Sequence, residues 1–414
     1  MHASMILLGE GRRGLHDNQA RAILPILALV ALMGTGSAML TTIVSLALSG
    51  PEVAPVAVQA VLTAYPVGFL AGCLVARPLV ARMGHERSFL LITLVAALAA
   101  VGFSLTDDKT AWLVLRLAGG LAMAAMFVIC ESWMNLYAQR HNRGRLFSLY
   151  MLATAVAVLA GQLILTVIGP SSPVAAPIAA ALVLGAVLGK AAGGPWPALA
   201  GAAQETQAKG RQRYGILQLF RTAPLTVVSV FQSGITNLNV FVLTPLYATQ
   251  IGLSPSQAVA LVTTMSVSCM AAQTPAGWLS DRFDRRSILL AQGVLAVLIC
   301  TAIAALGARS LPLLFVLFFL YGGIALTVYP VAIAYANAKL PSRHMVAASG
   351  SLLFLYSIGN IATPGIAAGL MERTAPQAML FVLGAGGLLV ALTAAASLAM
   401  RERGPAQDET EFHS

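Results

Sequence analysis

Charge is what this 414-residue sequence has least of. Asp, Glu, Lys and Arg make up 10% of it, against 58% hydrophobic residues, where a soluble domain carries about 25% charge. So little charge cannot cover a water-facing surface, which excludes an ordinary soluble enzyme or binding module. Acid is scarcer still. Of 15 Asp and Glu residues, Glu131 alone falls clearly inside an apolar run. Cysteine is confined to Cys73, Cys130, Cys269 and Cys300, all within apolar runs and without metal-ligand spacing, so all four read as buried reduced thiols. There is no phosphate-cradling glycine loop, catalytic triad, HExxH motif or spaced carboxylate pair. The sequence therefore offers no catalytic residue, no metal site and no cofactor, and any pumping must draw on an ion gradient. The net charge of +10 is spread over many short loops, which argues against a nucleic-acid partner.

What the chain has instead is long apolar runs. A helix needs about 20 apolar residues to cross the hydrocarbon core of a bilayer. Twelve stretches qualify: 22–48, 55–80, 88–106, 111–138, 146–168, 174–190, 223–249, 255–280, 287–306, 311–337, 345–370 and 376–400. Breakers such as Gly50-Pro51, Gly169-Pro170, Ser254-Pro255 and Pro341 separate them. The sixth is short, ends at Lys190 and runs into "GGPWPALAGAA". The N-terminus has only four apolar residues together, too few for the ~7–15 of a signal-peptide core. The chain is expected to enter the membrane through its first spanning helix.

Basic residues set the orientation. With the N-terminus inside, the outer loops contain only Lys109, Arg309 and Arg373, and Arg116 lies within a span, leaving 21 of the 25 Lys and Arg on or beside the cytoplasmic face. The positive-inside rule then predicts a cytoplasmic-membrane protein with both termini in the cytoplasm. The longest polar interruption, about 201–222, divides the spans into two sixes, and an offset of 200 places Arg21 on Arg221, Arg82 on Arg282 and Arg143 on Arg343. Three such matches in one frame predict an internal repeat of two parallel halves. The expected organisation is a cytoplasmic tail 1–21, a six-helix bundle 22–200, a linker 201–222, a second bundle 223–400 and a tail 401–414. It is an all-α membrane protein of twelve transmembrane helices in two pseudo-symmetric bundles.

"GWLSDRFDRR", from Gly277 to Arg286, gathers five charges in six residues at the predicted cytoplasmic end of the eighth span. Gly277 lets a neighbouring helix come close. Asp281 can accept hydrogen bonds from the amides of a helix N-terminus or pair with its arginines, latching one conformation. The alternative is a solvated turn that only fixes topology.

Gly277-x-x-x-Asp281-Arg282-x-x-Arg285-Arg286 resembles the cytoplasmic signature of the major facilitator superfamily, with Asp284 where its second Gly usually stands. "RPLVARMGHER", Arg77 to Arg87, is a degraded copy. Arg82, Gly84 and Arg87 fit, but Arg77 replaces the leading Gly and Ala81 the Asp. "LRLAGG", Leu115 to Gly120, is similar to that superfamily's fourth-span signature. "ESWMN", "NRGRL" and "LTVYPVAIAYA" resemble its YcaD-like branch, which implies no substrate. The resemblance implies two bundles rocking about a midplane site lined by spans one, four, seven and ten. It also implies a cytoplasmic gate, here asymmetric, in which Asp281 docks near Arg143–Arg145 with Arg82 and Arg145 on the first half.

The expected working residues follow from cost. A charge at mid-membrane costs at least about 2.5–3.5 kcal/mol, so Arg116 either meets a wet cavity as an anion-binding or proton-coupling group, or snorkels past Trp112 to the interface. Glu131 lies 15 residues on, about 22 Å along a straight helix. It either carries protons or pairs with Arg77, Arg82 or Arg145. Ser229, Gln232, Thr236 and Asn239 share one face of span seven and bind either cargo or another helix. Tyr65, Tyr321 and Tyr329 add amphipathic contacts or packing, and Gln162 bonds a neighbouring helix.

The sequence thus predicts a secondary active transporter of a small molecule, with protons as coupling ion, the bilayer as its surroundings and a monomeric state. Efflux of amphiphiles, an uncoupled facilitator and a non-transporting receptor are the alternatives.

Overall fold

The computed structural model describes the backbone of residues 2–50, 53–137, 143–192, 216–340 and 342–402. It describes their side chains except at 2–23, 134–137, 143–148, 308, 342–347, 349–350, 362, 364 and 401–402. All regular structure among the described residues is helical. The long helices are α1 His2–Ala47, α2 (55–83) and α3 (85–105), α4 Lys109–Tyr137, α5 Arg143–Ile168 and α6 Ala175–Ala192. After a short helix Ile216–Thr222 come α7 Pro224–Gln250, α8 Pro255–Arg282 and α9 Arg285–Leu306. Then follow α10 in two pieces, Leu311–Ala325 and Val328–Lys339, α11 in two pieces, Ser342–Ala362 and Pro364–Arg373, and α12 Ala378–Glu402.

Ten helices among the described residues are long and apolar enough to cross a membrane. One of them, Pro55–Leu105, is helical over 51 residues except at Gly84. A straight helix of that length would reach about 77 Å, more than twice the hydrocarbon core. At Gly84 the backbone takes φ 76° and ψ 168°, a conformation that a Cβ resists, and the chain reverses there, so this helix makes two passes. α8, 28 residues long but less apolar, completes twelve.

Local chemistry sets where helices start and break. Pro224, Pro255, Pro312 and Pro364 stand in the first turn of their helices, where a missing amide hydrogen costs nothing. Asp284 caps α9, its carboxylate accepting from the Arg286 amide at 3.0 Å. α10 breaks at Leu326–Thr327 because the ring of Pro330 clashes with the carbonyl four residues earlier, at Leu326. Thr327 Oγ1 heals part of the break by donating to the Gly323 carbonyl at 2.8 Å.

In the first unit the turn 82–87 marks the basic end and the loops near 50, 107, 170, 252 and 375 the distal end, and in the second the turn 282–286 marks the basic end and the loop near 309 the distal end. Two compact units result. The first takes Met1–Gln212, Leu238–Val267 and Asn360–Met379, and the second takes Arg213–Asn237, Ser268–Gly359 and Leu380–Ser414. The first is filled by Ile26, Met33, Met39, Phe89, Met126, Ile129 and Tyr150. The second is filled by Leu225, Leu289, Val331, Leu352 and Val390. Leu98, Leu298 and Leu392 point outward with about 60% of their surface exposed, as helices need against lipid.

Candidate functional site

The first unit holds a buried cation because glycines bring two helices into backbone contact. Built on Gly68 or Gly72 of α2, a Cβ would fall on the carbonyls of Leu117 and Leu121 in α4. One built on Gly120 of α4 would fall on the carbonyl of Tyr65. This reciprocal contact sets Arg116 against Tyr65, with the guanidinium carbon 4.4 Å from the ring centroid. Arg116 is 3% exposed. Its Nη1 donates to Thr41 Oγ1 at 3.3 Å, while Nε and Nη2 have no partner. A cavity of about 30 Å³ opens beside the guanidinium, lined by Ser37 of α1, Tyr65, Gly119 and apolar residues that include Met33, Phe103 and Met123. Lys109, and not Arg116, covers Trp112, at 3.7 Å from its ring. The snorkelling alternative is therefore not what this structure adopts.

The second unit has a buried polar centre without charge. Gln232 Nε2 donates to Thr236 Oγ1 at 2.9 Å. Gln292 Nε2 of α9 donates to Thr327 Oγ1 at the break of α10, also at 2.9 Å. The Oε1 atoms of both glutamines are buried without a partner. They border a cavity of about 10 Å³ with Thr236, Tyr321, Gly387 and Val390. That is room for about one water. The Gln232 amide lies over Gly386 of α12, where any larger residue would displace it.

At the distal end the first unit is closed by contacts between its segments. Ser45 Oγ of α1 donates to the Val242 carbonyl of α7. Thr166 of α5 and Thr263 of α8 share a hydrogen bond of 3.5 Å. Thr63 and Gln59 of α2 press on Gly365 and Gly369 of α11, 2.7 Å from where each Cβ would stand. At the basic end, Lys190 of α6, 5% exposed, pairs with Glu86 at 2.5 Å. His85 Nε2 lies 2.9 Å from Ser132 Oγ and its ring stacks on Trp133.

The structure brings together some expected residues and separates others. Arg116 lines a cavity, as do Gln232 and Thr236. Asn239, one turn beyond Thr236 on α7, is fully buried and lines neither cavity. Tyr329, expected near cargo, lines neither cavity and instead meets Tyr356 edge-on at 5.4 Å. Glu131 lies on α4 toward the basic end, half-buried beside Cys130 and near Tyr150. Gly277 has open space where a Cβ would stand, so the close helix approach expected there is absent among the described residues. Asp281 is 80% exposed and meets Arg285 of its own turn at 3.8 Å. Arg282 covers Trp278 at 4.3 Å. Arg286 pairs with Asp284 at 2.6 Å and donates to the Ser397 carbonyl of α12. Arg82 is exposed. The side chain of Arg145, the expected dock for Asp281, lies outside the described residues.

Sequence reasoning missed Gln292, Thr327, Ser37, Thr41 and the Lys190–Glu86 pair. Lys190 carried a signal, being the one charge in an 18-residue apolar helix. Gln162 bonds α1 as expected, its Nε2 donating to Thr42 Oγ1 at 3.1 Å.

The sequence profile of the Major Facilitator Superfamily matches residues 26–262 and again 225–414. The uncharacterized MFS-type transporter YcaD of Salmonella enteritidis is 28% identical over 365 residues, covering 88% of this chain and 92% of the relative. Its counterpart in Salmonella typhimurium matches to the same extent. The solved nucleoside transporter NupG superimposes with a TM-score of 0.72 at 14% identity, covering 91% of this chain and 99% of that one. A D-xylose–proton symporter gives 0.68 at 15% identity, over 91% and 96% of the two chains. A bacterial homologue of the human lysosomal transporter Spinster, inward-facing and occupied, gives 0.70 at 15% identity, over 94% and 99%. The profile spans nearly the whole length of a twelve-helix chain. The chain belongs to the major facilitator superfamily and is a YcaD-like, multi-pass membrane transporter, not an enzyme.

Proposed function

We propose that this transporter is secondary active and moves a small molecule across the cytoplasmic membrane by rocker-switch alternating access, with protons as the coupling ion. The observation that carries the reading is the partition of α7, α8 and α11. Their distal portions pack into the first unit, while their remaining portions belong to the second. Three helices divided at mid-length suit a bundle sealed at the distal end, as Ser45, Thr63, Gln59 and Thr166 seal it here. A seal of hydroxyl, amide and glycine contacts, without an ion pair among its described members, costs little to open and reform.

The arginine bias supports a cytoplasmic basic end, the reading in which tails 1–21 and 401–414 and linker 201–222 flank bundles 22–200 and 223–400 on the cytoplasmic side. Gly277, Asp281, Arg282, Arg285 and Arg286 would act there with Arg82 and Arg145 as the gate. Arg116 favours an anionic or zwitterionic cargo over a cation. The solved neighbours, at 13–15% identity, lend the fold alone. An exporter of amphiphiles or an uncoupled facilitator is the second reading, favoured by the apolar lining around Arg116.

The test is uptake into proteoliposomes under an imposed pH gradient, using cargo found by a thermal-shift screen of metabolites and drugs. Uptake that follows the gradient supports coupling, and uptake indifferent to it leaves a facilitator. Single cysteines at Thr63 and Gly365, labelled from each face, should change accessibility when cargo is added. Labelling from one face only, with or without cargo, would mean a receptor that does not transport.

A further inference from the structure

We propose that the cavity beside Arg116 binds a small monovalent anion, either a halide or the carboxylate of a compact acid. This deepens the transport reading by naming what the first bundle recognises, but binding itself can be measured without transport.

The argument starts from an unbalanced charge. Arg116 is 3% exposed, and none of the ion pairs among the described residues includes it. A buried ion without a counter-charge is costly, and a guanidinium cannot shed its proton to escape the cost. The Tyr65 ring offers its electron-rich face, and Thr41 accepts one long hydrogen bond. Neither supplies negative charge, and Nε and Nη2 stay unmatched. Those two nitrogens lie on one edge of the guanidinium fork, the geometry that takes a carboxylate bidentately or a spherical anion in its notch.

Cavity size then selects the occupant. About 30 Å³ accommodates two or three waters at ~10–15 Å³ each. A metabolite site is ~300–1,000 Å³. A whole cargo molecule therefore does not fit in this conformation, whereas chloride, bromide, formate or the carboxylate end of a larger acid does. Water would satisfy the two N–H groups but leave the charge unbalanced, so an anion is the better occupant. Gly119 keeps the space open, since nothing lies within 4 Å of where its Cβ would stand, and Ser37 adds a hydroxyl to the wall. The second unit serves as an internal control. Its polar cavity has no charged residue in the lining, so it calls for no anion.

The experiment is thermal unfolding of the purified full chain in detergent at fixed sodium and ionic strength, with gluconate replaced stepwise by chloride, bromide, formate or acetate. A ligand that binds only the folded state raises the transition saturably, and the expected rise is a few degrees. A rise with halides alone identifies an inorganic anion. A rise with formate and acetate alone identifies the carboxylate of a cargo. Arg116→Gln should flatten every curve, while Gln292→Leu should leave the parent response intact. A parent curve flat in all four anions overturns the proposal. Should Arg116→Gln not yield folded protein, a bromide-soaked crystal of the unmodified chain decides. An anomalous peak within hydrogen-bond reach of Nε or Nη2 supports the site, and its absence together with a parent transition flat in formate and acetate overturns it. Failure here leaves gradient-driven uptake unaffected, and failure of uptake leaves an anion-dependent transition intact, so the two readings fall separately.

Discussion

The two halves bury polar groups at comparable places but with opposite electrical character. In the first, α4 is continuous and packs backbone to backbone on α2, so that Arg116 is held over Tyr65. In the second, α10 is broken at Leu326–Thr327 and the centre is made of neutral glutamines and hydroxyls. The sequence offset of 200 sets Gly68 against Ser268 and Gly72 against Ala272. Gly323 of α10 meets both Ser268 and Ala272, as Gly120 of α4 meets α2. The contact survives with one change of chemistry. The Ser268 hydroxyl donates to the Phe319 carbonyl where Gly68 has only backbone. A related frame has thus been specialised, one half to hold a charge and the other to hold hydrogen bonds.

The sharpest way to break this contrast is to neutralise the charged half. Arg116→Gln should lower uptake on the order of a hundredfold, the scale of losing a charge-assisted contact to cargo. It should leave thermal stability unchanged or raised, since it removes a buried unpaired charge. Gln292→Leu should do the reverse, retaining uptake within a few-fold while costing about 1 kcal/mol for the bond to Thr327. Equal effects of the two variants on uptake would dissolve the distinction.

The frame itself can be tested next. Gly120→Val forces a side chain into the Tyr65 carbonyl and should cost about 3 kcal/mol through overpacking, read as loss of the folded peak in size-exclusion chromatography. Gly119→Ala, one residue away and facing open space, should stay within ~0.5 kcal/mol of the parent. A reversal of that order would mean that α2 and α4 are not in backbone contact.

Much of this frame is legible in the sequence, and the part that is not has a physical cause. Twelve apolar runs and the arginine bias toward one end follow from the bilayer itself, so hydropathy finds them. Arg116 stands out because the chain carries no other charge between Lys109 and Glu131. In the sequence Tyr65 reads only as amphipathic contact or packing, and Ser37 and Thr41 do not stand out, because these partners sit in other helices and meet Arg116 only through the fold. The break of α10 was signalled by Pro330, but its consequence, a Thr327 hydroxyl that receives Gln292, depends on α9 lying alongside. Tyr329, read as an amphipathic contact or as packing, meets Tyr356 edge-on.

The basic end repeats the comparison in miniature. Position 86 carries Glu and reaches Lys190 of α6, while position 286 carries Arg and reaches the Ser397 carbonyl of α12. Both tie the start of one helix to the end of the last helix in its half, with the charge reversed. Glu86→Gln removes the carboxylate that Lys190 meets at 2.5 Å. A fully buried pair broken in this way costs about 3–5 kcal/mol, but Glu86 is 42% exposed and water screens it, so about 1–2 kcal/mol is expected in thermal unfolding. Lys190→Met added to Glu86→Gln should recover most of the loss. No recovery would show that the pair carries no coupling.

Asp281 offers the smallest effect on stability and the most telling one on mechanism. Its carboxylate is 80% exposed and 3.8 Å from Arg285 one turn on, and such surface pairs contribute a few tenths of a kcal/mol. Asp281→Asn should therefore leave the unfolding transition within experimental scatter. If the carboxylate does nothing beyond this pair, transport should be equally unmoved. If it latches the basic end in a conformation where the distal seal is open, the same substitution should slow exchange between the two accessibilities. Cysteine labelling at Thr63 should then shift toward one face while stability stays fixed. A change in transport without a change in stability is what separates a latch from a solvated turn, because a turn acts only through the fold it stabilises.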